Sequence, residues 1–254
     1  MSQEAYNDKN DVSEIIEKAE REIFSIAQYR LRGGFVLIEG VVHDSFEILD
    51  ARSKNVGTIS GIPTGLTKLD DLTAGLHKGE LTTIAGRTSM GKTALALTIA
   101  RNVAIDSKIP VGIFSLEMTK EELTMRLMTG EARIDGHLMR TGKLAKHEWS
   151  KLLGNVGELA EAPIYIDDTP ILTATEVRAK ARRLKSEHDV GLIIVDYIQL
   201  LDAGRKVESR TREVSIITRS MKALSKELNI PVIILSNSQE QLIIVNRHDL
   251  DYQT

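Results

Sequence analysis

The octapeptide Gly86-Arg87-Thr88-Ser89-Met90-Gly91-Lys92-Thr93 constrains this chain more than any other stretch, because it satisfies the pattern G-x-x-x-x-G-K-[ST] at every constrained position. An apolar, β-branched run, Leu81 to Ala85, precedes it, and a run of good helix formers, Ala94 to Ala100, follows. A strand, a glycine turn and a helix in that order aim successive backbone N–H groups into one concavity at a positive helix N-terminus, which suits a polyphosphate. In such a turn Lys92 reaches the β and γ phosphates, and the Thr93 hydroxyl supplies one ligand to Mg²⁺. A bound nucleoside triphosphate is therefore expected, cradled by Gly86 to Thr93.

A turn of this kind needs a metal-side carboxylate, and Leu192-Ile193-Ile194-Val195-Asp196 has the form that supplies one: a fully apolar strand ending in aspartate. Asp196 is the expected second protein ligand of Mg²⁺. Hydrolysis also needs a residue to orient and polarise water, and Glu117, at the end of the apolar run Val111 to Leu116, is placed either for that task or to bond a helix N-terminus from the strand end. Gln199, three residues past Asp196, either relays nucleotide state to the polar loop 202–211 or bonds backbone there. That loop carries Arg205, Lys206 and Arg210, the candidate contacts to nucleic acid, since a loop after the metal-side strand can move with nucleotide state.

Composition narrows the class. The 254 residues are 42% hydrophobic and 27% charged with a formal net charge of −3, so any nucleic-acid contact comes from local loops, not from a basic surface at large. There is no cysteine, which excludes disulfides, thiolate nucleophiles and cysteine-based zinc sites and makes a reducing cytoplasm the default compartment. Met1 to Glu22 is too polar for a signal peptide, and the apolar runs fall far short of the roughly 20 residues that span a bilayer, so no membrane contact is expected. The six histidines lack ligand spacing.

In chain order, Asp11 and Glu14 suit a capping box for an amphipathic helix over Val12 to Arg30, where Val12, Ile16, Ala19, Ile23 and Ile26 recur at helical spacing. This helix, within a region 1–34, either folds back or docks on another subunit. Residues 35–60 show no clear helix period and read as a tether. From residue 61 onward strands and helices alternate: after a turn-rich lead-in from Gly61 to Gly75, capping boxes at Thr119/Glu122 and Thr173/Glu176 open two helices, and further helices are expected around His147 to Ala160 and from Arg212 to Leu228. Strands at Ile164 to Ile166 and Val232 to Ser236 complete an α/β fold with a doubly wound, mainly parallel sheet. Gly86, Glu117, Asp196 and Asn237 all fall at carboxyl ends of strands, where such sheets bind ligands. Asp167 and Asp168 read as turn and helix-entry residues, and Arg178, Arg182 and Lys185 as a solvated helix face.

These segments together, with Phe114-Ser115-Leu116-Glu117-Met118, Tyr165-Ile166-Asp167-Asp168-Thr169-Pro170 and Val195-Asp196-Tyr197-Ile198-Gln199-Leu200, resemble the motor domain of DnaB-type replicative DNA helicases of bacteria or their phages. The resemblance implies a RecA-like P-loop NTPase fold in 61–254 with an N-terminal linker helix in 1–34, and a homo-oligomeric ring of six subunits. It implies ATP hydrolysis at subunit interfaces with Glu117 as catalytic glutamate, and 5′ to 3′ movement on single-stranded DNA. It also implies docking of the linker helix on the neighbouring subunit, with primase and a helicase loader as further partners. This sequence departs from the family in carrying no separate N-terminal domain, and it reads as incomplete at the C-terminal end. Asn237 stands where the family has a glutamine, and the chain ends before the strand that acts on the neighbour's nucleotide. Two alternatives are another RecA-like ATPase of the recombinase or clock type, and a nucleotide-binding assembly module without turnover.

Overall fold

The computed structural model describes residues 35–54, 59–204, 209–237 and 243–246. The chain divides into two units, Met1–Thr58 and Ile59–Thr254. The helix expected at 12–30, with its capping box, lies outside the described residues.

In the first unit, the stretch 35–60, read as a tether without a clear helix period, holds a helix, Ile38–Lys54, α1. Its helical spacing was masked in the sequence by Gly40 and by the β-branched pair Val41-Val42, residue types that lower helix propensity. Val42, Phe46 and Leu49 recur at steps of four and three, and all three are exposed.

The second unit is organised by one six-stranded sheet in the order β3-β2-β4-β5-β1-β6. Its strands are β1 (Leu81–Gly86), β2 (Val111–Ser115), β3 (Ile164–Asp167), β4 (Leu192–Asp196), β5 (Val232–Asn237) and β6 (Ile243–Asn246). The first five pair in parallel, and β6 adds an antiparallel edge on β1. α2 (Thr67–Thr73) precedes β1, and between the strands run α3 (Lys92–Arg101), α4 (Lys120–Ala132), α5 (Gly136–Thr141), α6 (Lys146–Glu161), α7 (Ala174–His188) and α8 (Arg210–Leu228). The short α5 has no counterpart in the sequence reading, because six residues give too few turns to show a period.

Alternation along the central strands buries both faces of the sheet. Ile193, Val195, Val232 and Ile234 point to a core shared with Val177, Ala181, Ile217 and Met221 of α7 and α8. Leu192, Ile194, Ile233 and Leu235 point to the other core, shared with Leu97 and Ala100 of α3 and Leu123 and Leu127 of α4. A strand wetted on neither side has no polar positions to alternate, hence the continuous apolar runs.

Helix starts follow the side chains that satisfy their first N–H groups. Thr119 with Glu122 and Thr173 with Glu176 form complete capping boxes for α4 and α7. Ser209 accepts from the Arg212 N–H at 3.3 Å, so α8 begins at Arg210, two residues before the expected Arg212. In the lead-in, Asp70 is buried and its Oδ1 accepts from Thr64 N (2.9 Å) and Thr64 Oγ1 (2.7 Å) while its Oδ2 accepts from Gly65 N (3.0 Å). One carboxylate thereby shapes the turn that an Ile62↔Leu76 bridge closes.

Candidate nucleotide site

The glycine turn leaves β1 at Gly86 and enters α3 at Lys92. Gly91 caps α3 at φ 87°, in the left-handed region that favours glycine, and a Cβ built there would meet nothing within 4 Å. Its glycine character is thus set by backbone conformation and by what the concavity receives, not by crowding. Arg87, Thr88, Ser89 and Met90 form the exposed lip, with Ser89 also at positive φ.

Lys92 is buried, and its Nζ donates to the carbonyls of Gly86 (2.8 Å) and Arg87 (3.0 Å), so its ammonium lies across the mouth of the turn. The Thr93 hydroxyl donates to Asp196 Oδ2 at 2.7 Å. Glu117 comes to the same place because Leu116 N donates to Asp196 O at 2.7 Å, which binds the end of β2 to the end of β4. Ser115 then shapes the turn that carries Glu117: its Oγ donates to Met118 O (2.6 Å) and accepts from Met118 N (3.2 Å). Glu117 itself is exposed at the rim.

Asp196 is only 3% exposed, and burial pushes its carboxyl above the ordinary aspartate range. The negative charge of Glu117 pushes the same way, while the Thr93 hydrogen bond and the positive charges of Lys92 and Arg126 oppose it. Arg126 was missed by the sequence reading. It lies on α4, and only the folding of that helix beside β4 brings its charge to Asp196; no spacing in the sequence signals it.

These groups fit a magnesium–triphosphate. A buried carboxylate that resists ionisation is stabilised by a nearby dication, and hydroxyl and carboxylate oxygens are hard ligands of the kind Mg²⁺ takes. Among the described residues no three His, Cys, Asp or Glu side chains form a metal cluster, so the remaining ligands would be phosphate and water oxygens. A cleft of about 1000 Å³ bordered by Ala94, Leu97, Arg101, Arg126, Arg133 and Lys151 lies between α3, α4 and α6.

Other expected residues fall as follows. Gln199 bonds the end of β5: Nε2 donates to Ser236 Oγ (2.7 Å) and Asn237 O (3.2 Å), and Oε1 accepts from Asn237 N (3.2 Å). The backbone it bonds is that of β5, not of the loop 202–211 named in the expectation. Arg210 is the first residue of α8, not a loop residue, and its guanidinium donates to Glu213 and to the Gln199 carbonyl. Arg205 and Lys206 lie outside the described residues. Asp167 accepts from Thr169 and from Lys180 Nζ (2.7 Å), and Asp168 accepts from the Lys120 N–H (3.1 Å) at the start of α4, so both serve the turn and the helix entry. On the expected solvated face, Arg182 is exposed and Arg178 half-buried, and both also pair with Glu227 on α8, while Lys185 pairs with the exposed Asp189.

Residues 61–244 match the family model described as DnaB-like helicase C terminal domain. The chain is 42% identical over 237 residues to the replicative DNA helicase DnaB of Geobacillus stearothermophilus, across 93% of this chain and 52% of that protein. It therefore spans about half the length of such relatives. Among solved structures it is similar to the ATPase domain of G40P, with a TM-score of 0.75 and 32% identity over 81% of this chain and 73% of that one. It is also similar to a DnaB-like replicative helicase described with its primase interactions, with a TM-score of 0.72 and 28% identity over 95% of this chain and 58% of that one. The sheet and helices are those of the RecA-like α/β ATPase domains of helicases. The chain belongs to the DnaB-like helicase C-terminal domain family.

Proposed function

We propose that this chain is the ATP-driven motor of a replicative DNA helicase, acting in the cytoplasm within a six-membered ring that moves 5′ to 3′ on single-stranded DNA. The observation that carries the reading is the Thr93–Asp196 hydrogen bond at 2.7 Å, with Lys92 and Glu117 close enough for their charges to act on Asp196. A P-loop hydroxyl and a strand-end carboxylate meeting at a buried point have one economical use, the two protein ligands of a nucleotide's magnesium. Mg²⁺, when bound by Thr93 and Asp196, would neutralise phosphate charge.

The chain's own groups do the rest. Gly86 to Thr93 orient the phosphates, with Lys92 exchanging its two carbonyl partners for phosphate oxygens. Glu117, exposed at the rim, orients and polarises the attacking water. Gln199 acts at the nucleotide through the strand end it holds. Arg205, Lys206 and Arg210 are proposed DNA contacts; Arg210 sits at the helix start that follows the loop.

The exposed row Val42, Phe46 and Leu49 supports assigning subunit docking to α1 as well as to the segment 12–30. Primase and a loader are proposed partners by likeness to the family. ATP turnover measured with and without single-stranded DNA, together with strand separation on a fork with a 5′ tail, tests the reading. DNA-stimulated hydrolysis is expected, and tight nucleotide binding with no turnover in either condition would overturn it.

A further inference from the structure

The sheet splits at its carboxyl edge. Pairing between β4 and β5 ends at Val195↔Ile234, whereas β5 stays paired with β1 as far as Gly86↔Asn237. Beyond Val195 the chain of β4 pairs the other way, with Ser115 opposite Asp196 and the Leu116 N–H on the Asp196 carbonyl. Leu235, Ser236 and Asn237 therefore have a ladder partner on the glycine-turn side and none on the β4 side. The gap falls where the nucleotide residues gather.

One side chain closes it. Gln199, in the 3₁₀ turn Ile198–Leu200 that follows β4, uses its amide nitrogen and oxygen together on Ser236 and on both backbone groups of Asn237. Only one orientation of the amide can serve an N–H and a C=O of the same residue, so the contact has a defined geometry. The backbone carbonyl of Gln199 takes Arg210 at the head of α8, which anchors the turn from its other side. The Asn237 side chain is exposed and makes no hydrogen bond among the described residues, and its backbone neighbour across the ladder is Gly86, whose carbonyl holds Lys92.

We infer that Gln199 is a positioning residue for the distal end of the triphosphate: it stands in for the missing β4·β5 ladder and holds Asn237 beside the first glycine of the phosphate turn. The inference rests on the nucleotide reading above and adds to it a residue that touches neither phosphate nor metal. Its chemical consequence is selective. The turn residues Gly91, Lys92 and Thr93, which hold the phosphates from β1 and α3, make no bond to Gln199. What the terminal phosphate meets at the end of β5 does.

The test is Gln199→Met, which keeps an unbranched side chain of similar length and removes the amide. Magnesium-dependent affinities for ADP and for ATPγS are measured by calorimetry on the full chain. ADP affinity within about twofold of the parent, with ATPγS affinity lower by about tenfold, is the expected result. ATPγS affinity equal to the parent's, or both nucleotides weakened by the same factor, overturns the inference and leaves the nucleotide reading standing. A parent chain that binds neither nucleotide sinks that reading and the inference with it. Gln199→Glu, which keeps the acceptor for the Asn237 N–H and loses the donor to its carbonyl, carries the same two titrations if the methionine variant does not fold, with an expected loss of about threefold for ATPγS alone.

Discussion

The Thr93 hydroxyl and the Asp196 carboxylate, 103 residues apart in sequence, meet in a 2.7 Å hydrogen bond at the base of the phosphate turn. That contact joins the start of α3 to the end of β4, and it places a buried acid where a dication is expected. Its energetics can be read from the acid alone.

Burial raises the Asp196 pKa in the folded chain, so the folded state holds that proton more tightly than the unfolded state does. The stabilisation this provides is complete below the unfolded pKa of about 4 and is lost as pH rises through the raised folded value. Asp196→Asn is therefore expected to unfold at a higher temperature than the parent at neutral pH without nucleotide, with the difference shrinking as pH falls toward 4. Calorimetric midpoints across that range check this. The same variant should lose magnesium-dependent ATPγS binding.

Glu117 sits at the rim, joined to Asp196 through the end of β2 and without a buried contact of its own. Glu117→Gln should bind ATPγS within about threefold of the parent and lose turnover by on the order of 10² or more, the scale of a positioned base. Turnover equal to the parent's in a steady-state assay would remove Glu117 from that role.

Lys92 spans the turn through two carbonyl contacts of 2.8 and 3.0 Å. Lys92→Ala removes a charge-assisted donor worth about 1.5–3 kcal/mol, so nucleotide affinity should fall by roughly tenfold to a hundredfold, with hydrolysis abolished. Fluorescent-nucleotide titration measures the first and phosphate release the second.

Among the carboxylates whose pKa values are lowered are Glu131 beside Arg101, Glu227 beside Arg182 and Arg178, and Asp167, where Lys180 and Thr169 outweigh the effect of burial. For a lowered acid the stabilisation is present above the unfolded pKa and lost as pH falls through the folded value. Thermal stability should therefore decline below about pH 4, and Glu227→Gln should flatten that decline while lowering the midpoint at neutral pH. Melting curves against pH for parent and variant distinguish this from an indifferent surface pair.

The division at Thr58 predicts that residues 59–254 fold without the first unit. Deleting 1–58 should leave the thermal transition and ADP binding of the second unit in place and lower the number of subunits read from light-scattering mass, if the exposed face of α1 joins subunits. An unchanged number of subunits would count against α1 and the 12–30 segment as docking elements.

Much of the fold was legible because it is encoded over short distances. A capping box needs two residues three apart, so Thr119/Glu122 and Thr173/Glu176 gave their helix starts correctly. The buried strands announced themselves as apolar runs, since β4 and β5 are covered on both faces. Legibility failed where signals conflicted or were short, as at α1, where Gly40 and Val41-Val42 masked a helical stripe, and at α5.

By itself the sequence determined the phosphate turn, its strand and helix, the apolar strand that ends in Asp196, and the order of elements, because each depends on neighbours within a few residues. Only the tertiary structure decided which distant side chains share a point. Thr93 reaches Asp196, Arg126 acts on it, Arg178 and Arg182 converge on Glu227, and Gln199 closes the split between β4 and β5. Those contacts depend on the lateral order of strands in the sheet and on the register between them, and both are set by global burial of two apolar faces, which no local pattern specifies.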